Sequence, residues 1–202
     1  MKAYKKYKDS GVSWIGMVPE HFEIIRLKFL LNTPMQYGAN ESGSLSSKNA
    51  VRYVRITDIT NDGVLKNDDE NVYLELDKAK NYLLKNKDIL FARSGGTVGK
   101  SFMYKEDYGE CSFAGYLIKA ECNQNKFIPE FLLYYTQSSL YEVWKNLIFI
   151  QSTIQNIGAN KYSNMEIPVP MLNEQEAIVR YLDQKVGQID GYVAAKEKQL
   201  EL

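Results

Sequence analysis

A heptad pattern of apolar residues near the C-terminus constrains the fold of this chain more than any other feature. Its members are separated alternately by three and four residues, and they are Val179, Leu182, Val186, Ile189, Val193, Lys196 and Leu200. This spacing predicts an α-helix with one apolar seam, which normally packs against another helix. Packing on its own domain is the alternative, because Gly187 and Gly191 weaken the helix and Lys196 interrupts the seam.

The start of this helix is predicted at Glu174. Asn173 can cap the N-terminus, and Glu176 follows three residues later, as in a capping box. A helix that continues to the end of the chain is about 40 Å long, at about 1.5 Å per residue. The chain stops without a C-cap, so we expect it to be an excised or truncated piece of something longer.

The first 125 residues are predicted to be mainly β. Runs rich in β-branched and aromatic residues, separated by turn residues, occupy 51–56, 72–75, 88–92, 101–104 and 113–120. A helix is predicted at 129–144, because Pro129 suits a first turn and apolar residues follow at helical spacing. The prolines of 167–170 mark a boundary. The pattern therefore predicts an α+β fold, with a mainly β domain at 1–170 and a long helix at 171–202.

Composition excludes several classes of protein. With 202 residues and 45% hydrophobic content, the chain can bury the core of one large domain or of one domain with an appendage. No apolar run approaches the roughly 18 residues of a membrane span, and no apolar stretch follows the lysines of the N-terminal segment, so we expect a cytoplasmic protein. Cys111 and Cys122 are too few for a disulfide framework and are expected in the core. With His21 as the only histidine, no zinc cluster is expected.

A glycine-rich segment, Ser94-Gly95-Gly96-Thr97-Val98-Gly99-Lys100-Ser101, differs from a phosphate-binding P-loop by one residue. A P-loop has glycine where Ser94 stands, and it opens a helix whose N-terminal amides bind the phosphate. The short aromatic run at 102–109 instead predicts a strand. The segment is therefore interpreted as a glycine turn, and an ATP-hydrolysing enzyme is disfavoured.

Charge is segregated along a chain whose net charge is zero. Residues 1–55 have nine basic and four acidic side chains, 56–77 have seven acidic side chains against Lys66 alone, and 78–126 have nine basic and five acidic. A solvated surface explains such alternation, but basic segments beside glycine and serine loops also suit contact with phosphates. The acidic run 68–70 repels phosphate and is expected to face away from it or to meet a protein partner.

Four segments of the chain carry a family resemblance. The first is Tyr-Lys-Asp-Ser-Gly-Val-Ser-Trp-Ile-Gly at 7–16 with Val-Pro at 18–19, and the second is Leu-Phe-Ala-Arg-Ser-Gly-Gly-Thr-Val-Gly-Lys at 90–100. The third is Gln-Asn-Ile at 155–157. The fourth runs from Ile-Pro-Val-Pro at 167–170 through Leu-Asn-Glu-Gln at 172–175 into Ile-Asp at 189–190. In this order and spacing, they resemble the specificity subunits of type I restriction-modification systems.

The resemblance implies a non-catalytic DNA reader that docks methyltransferase and restriction subunits, which themselves use S-adenosylmethionine, ATP and Mg²⁺. In agreement, the sequence has no Asn-Pro-Pro-Tyr or Asp-Pro-Pro-Tyr methylation motif and no Gly-x-Gly-x-x-Gly loop. Full-length members resemble a pair of target-recognition domains joined by antiparallel helices, each domain reading half of a bipartite target. The region 1–170 matches one such domain and 171–202 an incomplete connecting helix, so the chain is a fragment or a half-subunit that dimerises through its helix.

Candidate DNA-binding residues are polar or cationic side chains on loops, because amides pair with adenine and cations with phosphate or guanine. They are Ser46, Lys48, Arg93, Ser94, Thr97, Lys100, Gln155, Asn160, Lys161 and Tyr162. The expected helix interface consists of Val179, Leu182, Val186, Ile189, Val193 and Leu200. For the glycine segment, a tight turn that only stabilises the sheet is the alternative. For the whole chain, the alternative is a β-rich coiled-coil interaction module without DNA binding.

Overall fold

The computed structural model describes residues 4–46, 48–60, 63–66, 70–150 and 155–200. The strands in these ranges are β1 (Tyr7–Asp9), β2 (Met17–Pro19), β3 (Glu23–Arg26), β4 (Gln36–Tyr37), β5 (Ala50–Val54), β6 (Tyr73–Glu75), β7 (Ile89–Ala92), β8 (Ser101–Met103), β9 (Cys111–Phe113), β10 (Leu117–Ala120) and β11 (Glu166–Val169). The α-helices are α1 (Leu76–Ala79), α2 (Pro129–Tyr135), α3 (Ser139–Ile150), α4 (Ala159–Ser163) and α5 (Leu172–Leu200). Within the same ranges, no helix has the length and apolar character needed to cross a membrane.

The central sheet has the strand order β4-β10-β7-β8, and each neighbouring pair is antiparallel. Strand β7 is buried on both faces. Ile89 and Phe91 join a core built with α2 and α3, whereas Leu90 and Ala92 join a core built with β5 and β9. Strand β8 follows the glycine turn directly, which confirms the strand predicted there, and no P-loop helix opens at this position.

A second sheet, β6-β5-β9, packs against the other face of β7. Strand β5 runs antiparallel to β6 and parallel to β9. The single strand predicted at 113–120 is wrong, because β9 and β10 belong to different sheets and the chain turns between them at Gly115 and Tyr116. A Cβ at Gly115 would overlap the amide oxygen of the Asn40 side chain, so a larger residue at this crossing would force that side chain to move.

The helix predicted at 129–144 is two helices. Pro129 lies in the first turn of α2, as predicted, but α2 ends at Tyr135. Ser138 Oγ donates to the Tyr135 carbonyl at 2.7 Å and accepts the Tyr141 amide at 3.3 Å. This hydroxyl therefore satisfies one backbone carbonyl at the end of α2 and one backbone amide at the start of α3. It thereby stabilises a break between the two helices over one continuous helix.

The predicted long helix forms as α5, but its start differs from the prediction. Helix α5 begins at Leu172, so Asn173 lies inside the first turn and does not cap it. Glu176 pairs with Arg180 at 3.6 Å, one turn further along the same helix. The helix is anchored instead by Gln175, which is fully buried and forms hydrogen bonds with the backbone of the domain.

The first half of α5 packs on the β-rich domain. Val179 is buried in the core shared with α2 and α3, and Tyr134 Oη donates to Asp183 at 2.6 Å. The assignment of Val179 to an interface with another helix is therefore wrong, because its own domain already covers it. Leu182 is half-buried, and the seam is exposed from Val186 onward.

Candidate nucleic-acid interface

Three segments that are distant in sequence meet at one end of the central sheet, around the backbone of Arg93. Its amide donates to the Tyr116 carbonyl at 3.0 Å, and its carbonyl accepts the Ile157 amide at 2.9 Å. The next residue, Ser94, forms a β-bridge with Asn156. The glycine turn therefore lies between the turn that joins β9 to β10 and the segment that precedes α4.

The glycine turn is held firmly on the core. Gly95 and Gly99 have φ angles of 79° and 86°, in the left-handed region that favours glycine. A Cβ at Gly99 would also collide with Lys145, and the Gly99 carbonyl accepts a hydrogen bond from Tyr141 Oη at 2.6 Å. These contacts fix the conformation of the turn and connect it to α3. Gly95 itself is exposed, so the tip of the turn is open to a ligand.

The side chain of Arg93 lies over the ring of Tyr37, with the guanidinium carbon 4.9 Å from the ring centroid. Tyr37 Oη accepts the Ala159 amide at 2.9 Å, so the ring is tied to the start of α4. Arg93 Nε is buried and has no hydrogen-bond partner. Tyr116 is 65% exposed and Tyr37 is 42% exposed. A cation and two aromatic rings therefore share one surface.

An open cleft of about 670 Å³ adjoins this surface, with Tyr116 in its wall. Polar side chains in the same wall belong to Asn40, Glu41, Ser42, Arg55 and Thr57. Arg55 is already paired, because its guanidinium donates to Asp58 at 2.7 Å and to the Glu70 carbonyl at 3.1 Å. Amide, hydroxyl and carboxylate groups are the groups that can pair with base edges.

Thr97 and Lys100 lie on the other flank of the glycine turn. Both line a small depression together with Ile56, which also lines the cleft. The Lys100 side chain is exposed, whereas Thr97 and Ser94 are half-buried. We define the turn face as the surface formed by Tyr37, Arg93, Thr97, Lys100 and Tyr116.

Two further candidates, Gln155 and Asn160, are exposed beside the turn face, and Lys161 is half-buried on α4. The side chain of Asn160 accepts a hydrogen bond from Asn164 at 2.9 Å. Because the Ala159 amide binds Tyr37 Oη, the start of α4 lies next to the Arg93 stack.

The prediction that Tyr162 contacts DNA is wrong. Its ring is fully buried, with its centroid 4.6 Å from that of Phe91 and 5.6 Å from that of Trp144. Its hydroxyl donates to the Ala92 carbonyl at 3.0 Å. Burial raises the pKa of this phenol above its ordinary value. Tyr162 packs against β7 inside the core and is not accessible to DNA.

Ser46 and Lys48 are exposed, but they lie apart from the turn face. Their loop is fixed by a β-bridge between Ser44 and Tyr73, which directs it toward the edge strand β6. Residues 68 and 69 of the acidic run lie outside the described residues.

Sequence reasoning missed Tyr37, Asn40 and Tyr116. Tyr37 lies on a two-residue strand and Tyr116 lies in a turn between apolar strands, and neither segment has a pattern of polar residues that indicates a binding site. Among the described residues, no group of three or more His, Cys, Asp or Glu side chains is arranged to hold a metal ion.

The second half of α5 presents the remainder of the predicted seam to solvent. The exposed fractions are 42% for Val186, 60% for Ile189, 45% for Val193 and 87% for Leu200. No element in the described part of the chain covers these apolar residues, and the interface with another helix that the sequence predicts for them stays a prediction.

Residues 19–202 match the family model described as Type I restriction modification DNA specificity domain. The chain is similar to the type I restriction enzyme EcoBI specificity subunit of Escherichia coli, with 24% identity over 91% of this chain and 38% of that protein. It is also similar to the StySPI specificity subunit of Salmonella potsdam, with 32% identity over 55% of this chain and 24% of that protein. The chain thus spans less than half the length of these curated relatives.

Solved structures share the fold. The HsdS subunit from Thermoanaerobacter tengcongensis aligns with a TM-score of 0.66 at 18% identity, over 92% of this chain and 41% of that one. A chain from a study of complex assembly and conformational transition of the type I R-M system aligns with a TM-score of 0.69 at 18% identity. That alignment covers 96% of this chain and 44% of the other. The mixture of short sheets followed by a long helix is therefore common to all three chains.

Proposed function

The chain belongs to the type I restriction-modification DNA specificity domain family, and we propose that it reads one half of a bipartite double-stranded DNA target. The observation that carries this proposal is the turn face. Arg93 is stacked there on Tyr37 and bonded through its amide to Tyr116, which lines a polar cleft, and the exposed Lys100 lies on the other flank of the same turn. Cations supply affinity for the duplex, and the groups in the cleft supply donors and acceptors for base edges.

The residues of this region divide into two roles in the proposal. Lys100 contacts the phosphate backbone, because the residue is exposed and its long, flexible side chain ends in a cation. Gln155 and Asn160 approach the duplex from the start of α4, where their amides can pair with adenine. Ser94 and Thr97 assist from the glycine turn, Lys161 from α4, and Ser46 and Lys48 from the more distant loop.

Catalysis is assigned to other subunits. We propose that this chain is itself non-catalytic and docks methyltransferase and restriction subunits, which hold S-adenosylmethionine, ATP and Mg²⁺. The specificity-subunit relatives support this division of labour.

In this proposal, the exposed half of α5 recruits a second recognition domain, which reads the other half of the target. Its seam pairs with an equivalent helix, either of a second recognition domain or of a second copy of the chain. In a symmetric pair of copies, the helix length would set the distance between two half-sites.

The alternative function, a coiled-coil interaction module without DNA binding, is favoured by the same exposed seam. The two functions differ in their response to salt. A DNA reader releases counterions when it binds, so its affinity for duplex falls as salt rises, whereas an interaction module shows no such dependence.

The test is the affinity of the chain, mixed with its methyltransferase partner, for a random-sequence duplex at two salt concentrations. Each neutralised phosphate contributes a slope of about −0.9 in log affinity against log salt, so two or more contacts weaken binding at least about 10-fold between about 50 and 200 mM. Lys100→Gln should reduce the slope by about 1. Lys78→Gln, on α1, is the matched control and should leave it unchanged. Absence of salt-dependent binding would exclude the DNA-reading function.

A further inference from the structure

Arg93 is a half-buried cation whose donors are unused. In the part of the chain that the structure describes, its side chain makes no hydrogen bond and no ion pair, and its only side-chain partner is the Tyr37 ring. Two other arginines have acceptors within the chain for a terminal nitrogen, since Arg55 donates to Asp58 and Arg52 Nη2 donates to Asn71, although Arg52 Nε is also buried without a partner. A half-buried guanidinium without an acceptor is costly, and such groups are normally paired. Arg93 is therefore organised for an acceptor that comes from outside the chain.

Tyr37 holds the plane of this guanidinium in one orientation. The ring stands on β4, opposite Ile118 of β10, and its hydroxyl is fixed by the Ala159 amide at 2.9 Å. Gly158 makes room for that hydroxyl, because a Cβ there would lie only 3.1 Å from it. Stacking on an aromatic face suits arginine, whose planar fork loses little further entropy when it binds a planar pair of acceptors.

The geometry favours a base edge over a phosphate as that acceptor. Nε is buried, which leaves the two terminal nitrogens as the outward-facing pair. Such an end-on fork matches O6 and N7 of guanine in the major groove. The adjoining cleft contains the Glu41 carboxylate, which disfavours a phosphate but can accept from the amino group of cytosine. A point charge is sufficient for phosphate contact, and Lys100, which is exposed on the same turn, provides one.

We propose that Arg93 is a specificity-determining residue that reads a guanine, and that Tyr37 is the residue that positions it. This inference rests on the proposed DNA-recognition function. In this inference, Arg93 stacked on Tyr37 is responsible for the preference for guanine at one position of the half-site.

The experiment selects bound duplexes from a library with a randomised core, using the full chain with its methyltransferase partner. The wild-type chain should enrich a motif with guanine at one position. Arg93→Lys keeps the charge but removes the fork, so the preference at that position should fall by about 10- to 100-fold. Its affinity for random duplex should fall less than that of Arg93→Gln, because the charge is retained.

Tyr37 variants separate positioning from folding. Tyr37→Leu removes the aromatic face and should relax the same position of the motif and no other. Tyr37→Phe retains the face and should keep the guanine preference. Thermal unfolding checks that each variant is folded, which is expected since Tyr37 is 42% exposed.

Each remaining outcome contradicts the inference. If Arg93→Lys weakens binding evenly across all sequences, the residue contacts phosphate, and if the motif is unchanged, the stack is only structural. If the wild-type chain binds duplex in a salt-dependent way but enriches no motif, the inference fails while DNA binding stands. If it binds no duplex at all, the inference and the proposed function fail together.

Discussion

Gln175 shows how one buried polar side chain connects the long helix to the domain. Its Nε2 donates to the carbonyls of Lys126 and Pro170 at 3.0 and 2.9 Å. Its Oε1 accepts the Ile128 amide at 2.9 Å. These backbone groups flank the start of α2 and the entry to α5, where no regular secondary structure satisfies them. A side-chain amide is suited to this position because it offers donors and an acceptor together.

Gln175→Leu should lower the free energy of unfolding by about 3 kcal/mol or more, because it leaves buried backbone groups without partners. Urea unfolding monitored by circular dichroism measures the change. The neighbouring substitution Glu176→Leu, on the exposed face, is the control and should change stability by no more than about 0.5 kcal/mol. Equal effects of the two substitutions would mean that the hydrogen bonds of Gln175 do not stabilise the junction.

At the level of elements, α5 is one helix with two environments. Its first half is covered by the domain, where Val179 lies in the core and Asp183 accepts from Tyr134. Its second half exposes Val186, Ile189, Val193 and Leu200 to solvent. The heptad pattern runs through both halves without a change. Packing on its own domain therefore holds for the first half of the helix, and an interface with another helix stays a prediction for the second half.

Ile189→Asp should abolish self-association or docking of a partner subunit while the β-rich domain remains folded, because a charge in the middle of an apolar helix interface is left without a partner. Mass measurement in solution reports self-association, and co-purification of the methyltransferase subunit reports docking. Ala195→Asp introduces the same charge on the same half of α5, off the seam, and should change neither. If both variants behave like the wild type, the exposed seam is not an interface.

At the scale of the whole molecule, the interior holds ionisable groups whose neutral form is favoured by burial. Both cysteines are buried, as predicted from composition. Burial raises the pKa of the Cys122 thiol to about 12 and that of Cys111 to about 11. Burial also raises the pKa of Tyr104 to about 12. In the unfolded chain these groups release their protons at lower pH than in the folded chain.

The free energy of unfolding should therefore fall as pH rises above about 9, since the unfolded state binds fewer protons there than the folded state. Below that pH both states are protonated at these sites, and this contribution is fully present. Thermal unfolding between about pH 8 and pH 11 measures the slope. Cys122→Val has a similar volume without the thiol and should flatten the profile. A wild-type profile that is already flat over this range contradicts the prediction.

The success of the sequence predictions depended on whether the relevant signal was local. The strands at 72–75, 88–92 and 101–104 and the long helix were predicted because their periodicity is contained in their own residues. The break at Ser138 and the crossing at Gly115 were missed, because each arises from a contact that periodicity does not encode. In the candidate site, Arg93 and Lys100 were found through residue type and glycine context. Tyr37 and Tyr116 were missed because they join the site only through strand pairing.

The sequence by itself determined the α+β class, the glycine turn followed by a strand, and the heptad helix, since hydrophobic period and backbone freedom are properties of adjacent residues. The tertiary structure decided which polar residues share a surface. It buried Tyr162 beneath β7, stacked Arg93 on Tyr37, and divided the seam of α5 between the core and solvent. These outcomes depend on which distant segments the sheets bring together, and a single sequence does not state those pairings.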